Sequence, residues 1–126
     1  MKDLQSEYNL SYIFITHDLG VASELSDYFA VMYAGKIAEI GPAEDVLTNP
    51  MHPYTEKLLK TTPRLRSEST LEFIPGSPPD LIEQIPGCSF NPRRPYAFEK
   101  CRTKEPYMIR INSQHYAACW LRGDEK

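Results

Sequence analysis

The sequence predicts an α/β fold, and three stretches carry that reading. Ser11 to Thr16 sets apolar and β-branched residues between polar ones and ends at His17-Asp18, as a buried parallel strand does. A helical pattern follows, and then Tyr28–Tyr33 and Lys36–Ile40 form two strand-like runs separated only by Ala34-Gly35. Ten of the eleven prolines lie between Pro50 and Pro106, so most of the second half is neither regular helix nor central strand. The expected order is strand, helix, hairpin and short helices, then an irregular extension that carries all three cysteines.

Each element has a local cause. Lys2 to Tyr8 reads as the last turns of a helix with Asn9 as its stop. Asp18 is a good N-cap for the helix after the first strand. That helix sets Leu19, Ala22, Leu25 and Phe29 at three- and four-residue spacing toward a core, with Ser23, Glu24 and Asp27 opposite, and ends at Asp27-Tyr28. The hairpin turns at Ala34-Gly35, with Gly supplying positive φ. Gly41-Pro42 breaks the second strand, and Pro42 opens a short helix, Ala43 to Thr48, stopped by Asn49-Pro50. His52-Pro53-Tyr54 starts another helix with Tyr54, Leu58 and Leu59 on one face and Glu56, Lys57 and Lys60 on the other. It ends before Pro63, and Pro53 alone accounts for the local pattern at His52. Beyond it, Arg64 to Thr70 is a polar linker, Leu71–Ile74 a short strand, and Pro75 to Leu81 turn and extended chain.

The bulk properties set limits. A chain of 126 residues is one domain's worth, long enough for a modest core. A net charge of −3 gives no reason to expect nucleic acid as a partner. No apolar run approaches the ~20 residues of a membrane-spanning helix, and Met1 to Glu7 lacks the apolar core of a signal peptide. These features predict a soluble, cytoplasmic chain with no direct membrane insertion. Three cysteines, an odd number, argue against a disulfide framework and leave free thiols or metal ligands.

His17 is the first candidate for chemistry. At the carboxyl end of a strand it would face the crevice where open α/β sheets bind ligands, and imidazole can donate to an anionic oxygen. The plainer reading is a polar strand terminus, since fold position alone does not make a site.

Ile15-Thr16-His17-Asp18, Tyr28 to Tyr33, Ala34-Gly35-Lys36, Ile37 to Pro42 and Met51-His52-Pro53-Tyr54-Thr55 come in an order that closely resembles the C-terminal part of the ATP-binding subunit of ABC transporters, in the oligopeptide and dipeptide importer branch. The likeness covers essentially the whole chain. It implies that residues 1–62 are the C-terminal part of the ATPase core, and residues 63–126 the branch's C-terminal extension. It also implies that the first helix begins well upstream, so that the chain is a fragment. Ile15-Thr16-His17-Asp18 resembles the switch-histidine motif, which makes His17 the contact to the γ-phosphate of ATP. By the same resemblance the complete protein uses ATP and Mg. It pairs with a second ATPase subunit and with membrane permease subunits, lies at the inner face of the cell membrane through them, and drives peptide import by ATP hydrolysis.

The tail adds a second set of candidates. In some members of that branch four cysteines of the extension bind an iron–sulfur cluster. Cys88, Cys101 and Cys119 match three of those positions, and Arg94 stands at the fourth. Three readings compete. A cubane wants four thiolates, so an iron–sulfur cluster here would need a foreign fourth ligand. Zinc could use the cysteines with His115, which is four residues before Cys119, but the close Cys-x-x-Cys spacing is missing. In the third reading the cysteines pack as small hydrophobes, and Phe90, Tyr96, Phe98, Tyr116 and Trp120 supply a core. Arg93, Arg94, Lys100, Arg102 and Lys104 form a basic run that could meet phosphates or an acidic surface. Glu99 and Glu105 interrupt it, as on a solvated face.

The sequence lacks the Gly-x-x-x-x-Gly-Lys-Ser/Thr phosphate loop, the Ser-Gly-Gly signature and the apolar strand ending in Asp-Glu. Phosphoryl transfer is almost wholly positioning and electrostatics, so the chain alone is expected neither to bind nor to hydrolyse ATP. A different class of function also fits the residues, a non-catalytic interaction or metal-binding module with iron–sulfur or zinc in the tail.

Overall fold

The computed structural model describes residues 2–61, 86–94 and 98–122. In chain order it contains α1 (Lys2–Tyr8), α2 (Leu19–Leu25), β1 (Tyr28–Tyr33), β2 (Lys36–Pro42), α3 (Ala43–Thr48), α4 (Pro53–Lys60), α5 (Glu99–Thr103), β3 (Ile109–Arg110) and β4 (Tyr116–Ala117). Single 3-10 turns occupy Asn91–Arg93 and Trp120–Arg122. The expected linker, the strand at Leu71–Ile74, the turn after it and the side chain of Tyr96 lie outside the described residues.

The class is α/β, but the sheet is antiparallel throughout, ordered β1-β2-β4-β3. Residues 11–16 are not a strand. They form no regular structure, and Ile13 and Ile15 are 97% and 92% exposed. A parallel strand buried on both faces exists only where neighbours complete its backbone ladder. Among the described residues none pairs with this segment, so the apolar run has no sheet to enter.

The helix ends follow their caps. Asn9 adopts φ 51°, and the Leu10 amide returns to the Gln5 carbonyl at 3.2 Å, the closing bond of a left-handed C-terminal cap. Asp18 Oδ1 accepts from the Val21 amide at 3.1 Å. The helix it caps ends at Leu25, so Phe29 belongs to β1 and reaches the core from the sheet.

The hairpin turn places both Ala34 and Gly35 at positive φ, 50° and 77°, the requirement of a two-residue turn whose twist matches its strands. Lys36 and Ile37 pair in simple register with Tyr33 and Met32, but Val31 then pairs with Glu39 instead of Ala38. Ala38 is an extra residue in β2, and such a bulge shifts every following side chain to the other face. Without it Glu39 would point outward opposite Ala30. With it Glu39 turns inward and is fully buried.

Two apolar clusters hold the elements. Phe29, Val31 and Val46 form one, with Leu19, Ala22, Leu47 and Leu58 packed against it. Tyr33, Ala38, Cys88, Phe90 and Cys101 form the other, with Tyr54 and Trp120 beside it. The second joins hairpin and tail. The Phe90 ring sits 5.3 Å from that of Tyr33 and 5.6 Å from that of Tyr54, edge-on to both. The tail also extends the sheet, since Glu39 and Ile40 of β2 pair with Ala117 and Tyr116 of β4.

Phe90 is 1% exposed, so Phe90→Ala removes the ring on which hairpin, α4 and tail meet. It is expected to cost about 3–5 kcal/mol in urea unfolding. A loss below about 1 kcal/mol, the size of an ordinary surface substitution or smaller, would show that the tail does not pack on the hairpin in this way.

Candidate functional site

His17 stands in the irregular segment just before α2, and it is exposed. The turn that carries it is ordered by its neighbours: the Asp18 amide donates to Thr16 Oγ1 at 3.0 Å, and Asp18 caps α2. No other side chain of the described residues meets the imidazole. A cavity of about 60 Å³ between hairpin and tail and a groove of about 470 Å³ between α3 and α4 both lack His17 in their walls. The residue is presented outward, with one coordinate of a site and no others.

The densest polar constellation is elsewhere and was not anticipated from the sequence. Glu39 is fully buried. Its Oε1 accepts from the Met51 amide at 2.8 Å and its Oε2 from the His52 amide at 2.9 Å. His115 Nε2 lies 2.5 Å from Oε1. Gly41 makes room for that imidazole, because a Cβ there would meet His115 Cδ2 at 3.0 Å. Asn112 Oδ1 accepts from the His115 amide at 2.9 Å and shapes the loop before β4.

His52 completes the junction. Its Nδ1 accepts from the Tyr54 amide at 3.0 Å, which caps α4, and its ring also hydrogen-bonds the Ala118 backbone. Burial lowers its pKa to about 4, helped by the nearby Arg94 and Arg122 guanidinium groups. An acceptor Nδ1 requires the neutral ring, so the cap and the lowered pKa agree. The one signal for this junction was Glu39 itself, a lone carboxylate between Ala38 and Ile40, but simple strand alternation points it outward.

The structure brings Cys88, Cys101 and Cys119 into the tail core. All three are buried and free. The Cys88 amide donates to the Cys101 carbonyl at 2.8 Å, and Arg94 Nη1 donates to Cys101 Sγ at 3.2 Å. Burial pushes the Cys88 thiol up, and its neighbours Cys101 and Cys119 push the same way against the pull of Arg94 and the Phe90 backbone. His115 is engaged with Glu39 and not with the thiols. Among the described residues no group of three or more His, Cys, Asp or Glu side chains is arranged to hold a metal ion. A four-thiolate cluster does not fit this donor set: three thiols are present, and a buried guanidinium stands against one of them.

The basic run does not form one face. Arg94 is buried at Cys101, Arg93 Cζ lies 5.9 Å from the Tyr33 ring centroid, and Lys100 Nζ sits 4.0 Å over the Trp120 ring. Arg93 thus meets a ring of the hairpin, while Arg94 and Lys100 meet a thiol and a ring of the tail. Arg102 and Lys104 remain exposed.

Comparison with known proteins gives one family match. Residues 38–101 fit the family described as "Oligopeptide/dipeptide transporter, C-terminal region". The chain is 46% identical over 123 residues to the oligopeptide transport ATP-binding protein OppD of Bacillus subtilis, covering 96% of this chain and 34% of that protein. It is 43% identical to the dipeptide transport ATP-binding protein DppD of the same organism, covering 96% and 36%. A putative peptide import ATP-binding protein of Brucella ovis is 41% identical, with 94% and 37% covered. The chain therefore spans about a third of the length of these relatives.

The His52 geometry sets a pH dependence. The unfolded chain takes up a proton near the ordinary value of 6.5, whereas the folded ring resists protonation down to about 4. The stability held by the neutral ring is complete above about 6.5 and is lost as pH falls toward 4, by roughly 3 kcal/mol at about 1.4 kcal/mol per pH unit. His52→Asn retains an N-cap acceptor and is expected to flatten that slope in urea titrations across this window. Equal slopes for the two proteins would contradict the assignment.

Proposed function

The chain belongs to the oligopeptide/dipeptide transporter C-terminal-region family, and we propose that it works as the C-terminal portion of the ATP-binding subunit of an ABC importer of short peptides. The observation that carries the reading is its likeness, along nearly its whole length, to ATP-binding proteins of oligopeptide and dipeptide transport. In this reading residues 1–62 finish the ATPase core and residues 63–126 are the branch's C-terminal extension. ATP with Mg is the cofactor of the complete subunit. A second ATPase subunit and membrane permease subunits are its partners, and they hold it at the cytoplasmic face of the membrane. No helix among the described residues is long and apolar enough to cross a membrane.

His17 is the residue of this chain that would reach ATP, as the contact to the γ-phosphate. The residues present do not make a nucleotide site by themselves, because the phosphate loop, the signature and the acidic strand end are not in this sequence. Two surfaces support assembly with further chain of the same subunit. Tyr12, Ile13, Phe14 and Ile15 are exposed just before His17, and among the described residues β1 is an edge strand whose outward residues include Tyr28 and Met32, both about half exposed. An open edge and contiguous apolar surface call for a covering layer. If residues 11–16 enter a sheet there, His17 is carried to the strand end where nucleotide phosphates are bound.

The test is a chimera. Residues 1–126 replace the corresponding C-terminal part of the Bacillus subtilis OppD protein, and the chimera is assembled with its permease and partner ATPase in vesicles. The expected result is peptide-dependent ATP hydrolysis that His17→Ala lowers at least about 100-fold, the effect of removing one preorganised charge-stabilising donor. A chimera that assembles but hydrolyses no ATP, or an active chimera indifferent to His17→Ala, would contradict the proposal.

A further inference from the structure

We infer that Arg94 keeps the buried cysteines of the tail closed to metal ions, its guanidinium held against Cys101 Sγ as a fixed positive charge. Arg94 is only 7% exposed. Its Nη1 donates to Cys101 Sγ at 3.2 Å, and its Cζ lies 5.9 Å from the Phe98 ring centroid, so thiol and ring hold the group between them. Its Nη2 is buried with no hydrogen-bond partner among the described residues.

An arginine remains protonated in proteins, and a fixed positive charge repels a second cation wherever solvent cannot screen it. Cys88, Cys101 and Cys119 are 6%, 0% and 2% exposed, so the screening is small. Donor chemistry points the same way. A structural zinc site or a cubane takes four protein ligands. The imidazole that could join three thiols, that of His115, is 2.5 Å from the buried Glu39 carboxylate. The guanidinium instead ties the pocket together as a hydrogen-bond donor to sulfur. The inference rests on this geometry and not on the transport reading.

The test compares the wild-type chain with Arg94→Cys and Arg94→Gln. Each is purified anaerobically, offered zinc or ferrous iron with sulfide, desalted, and analysed for zinc, iron and labile sulfide, with folding followed by circular dichroism. The wild type is expected to retain far less than one metal ion per chain, and folded Arg94→Cys to retain about one zinc ion or one cluster. Arg94→Gln removes the charge and leaves a shorter polar side chain, and is expected to bind zinc at least tenfold more tightly than the wild type. That arm decides the matter if the cysteine variant does not fold. A wild type that holds metal stoichiometrically, or folded variants that stay as metal-poor as the wild type, would overturn the inference.

Discussion

A carboxylate shut off from solvent must find its donors inside the fold, and Glu39 finds three. Two are the amides of Met51 and His52, and the third is the His115 ring. Each belongs to a different piece of chain from the carboxylate. Met51 and His52 begin α4, and His115 leads into β4, 76 residues from Glu39 in sequence. Leaving a buried hydrogen-bonding group without its partner costs about 1–3 kcal/mol, a large share of a domain's net stability. The hairpin, the start of α4 and the end of the tail are thereby fixed relative to one another. Apolar contacts among Phe90, Tyr33 and Tyr54 join the same elements.

The bulge at Ala38 makes this junction possible. One extra residue in β2 puts Glu39 on the inner face opposite Val31, and Gly41, two residues on, leaves the space that His115 fills. His52 works from the other side, capping α4 with a ring that must stay neutral. The tail is therefore an integral layer of the sheet and core, held by polar contacts where its secondary structure is sparse. In the proposed complete subunit this joins the extension rigidly to the hairpin that follows the switch histidine.

Much of this was legible from local chemistry. Caps and stops at Asn9, Asp18, Pro42, Asn49 and Pro53 are decided within a turn of chain, and the boundaries they set fall within about two residues of the observed ones, whereas α2 ends at Leu25, short of the expected Asp27-Tyr28. The hairpin followed from Ala34-Gly35 for the same reason. What failed depended on partners remote in sequence. The run at residues 11–16 has the composition of a central strand, but a strand is defined by the neighbours that pair with it. Glu39 was missed because a bulge changes the face of a residue without changing composition. The tail cations looked like a charged surface, yet Arg93, Arg94 and Lys100 turn to Tyr33, Cys101 and Trp120, partners that only the fold brings near.

Glu39 and His115 join the hairpin to the tail through a direct contact. A double-mutant cycle with Glu39→Gln, His115→Asn and both together, read by urea unfolding, measures that contact in isolation. The expected coupling is at least about 1 kcal/mol, in the range of residues that share a buried network. Additive effects of the two substitutions would contradict it, and the tail would then be held by its sheet pairing and apolar packing without this contact.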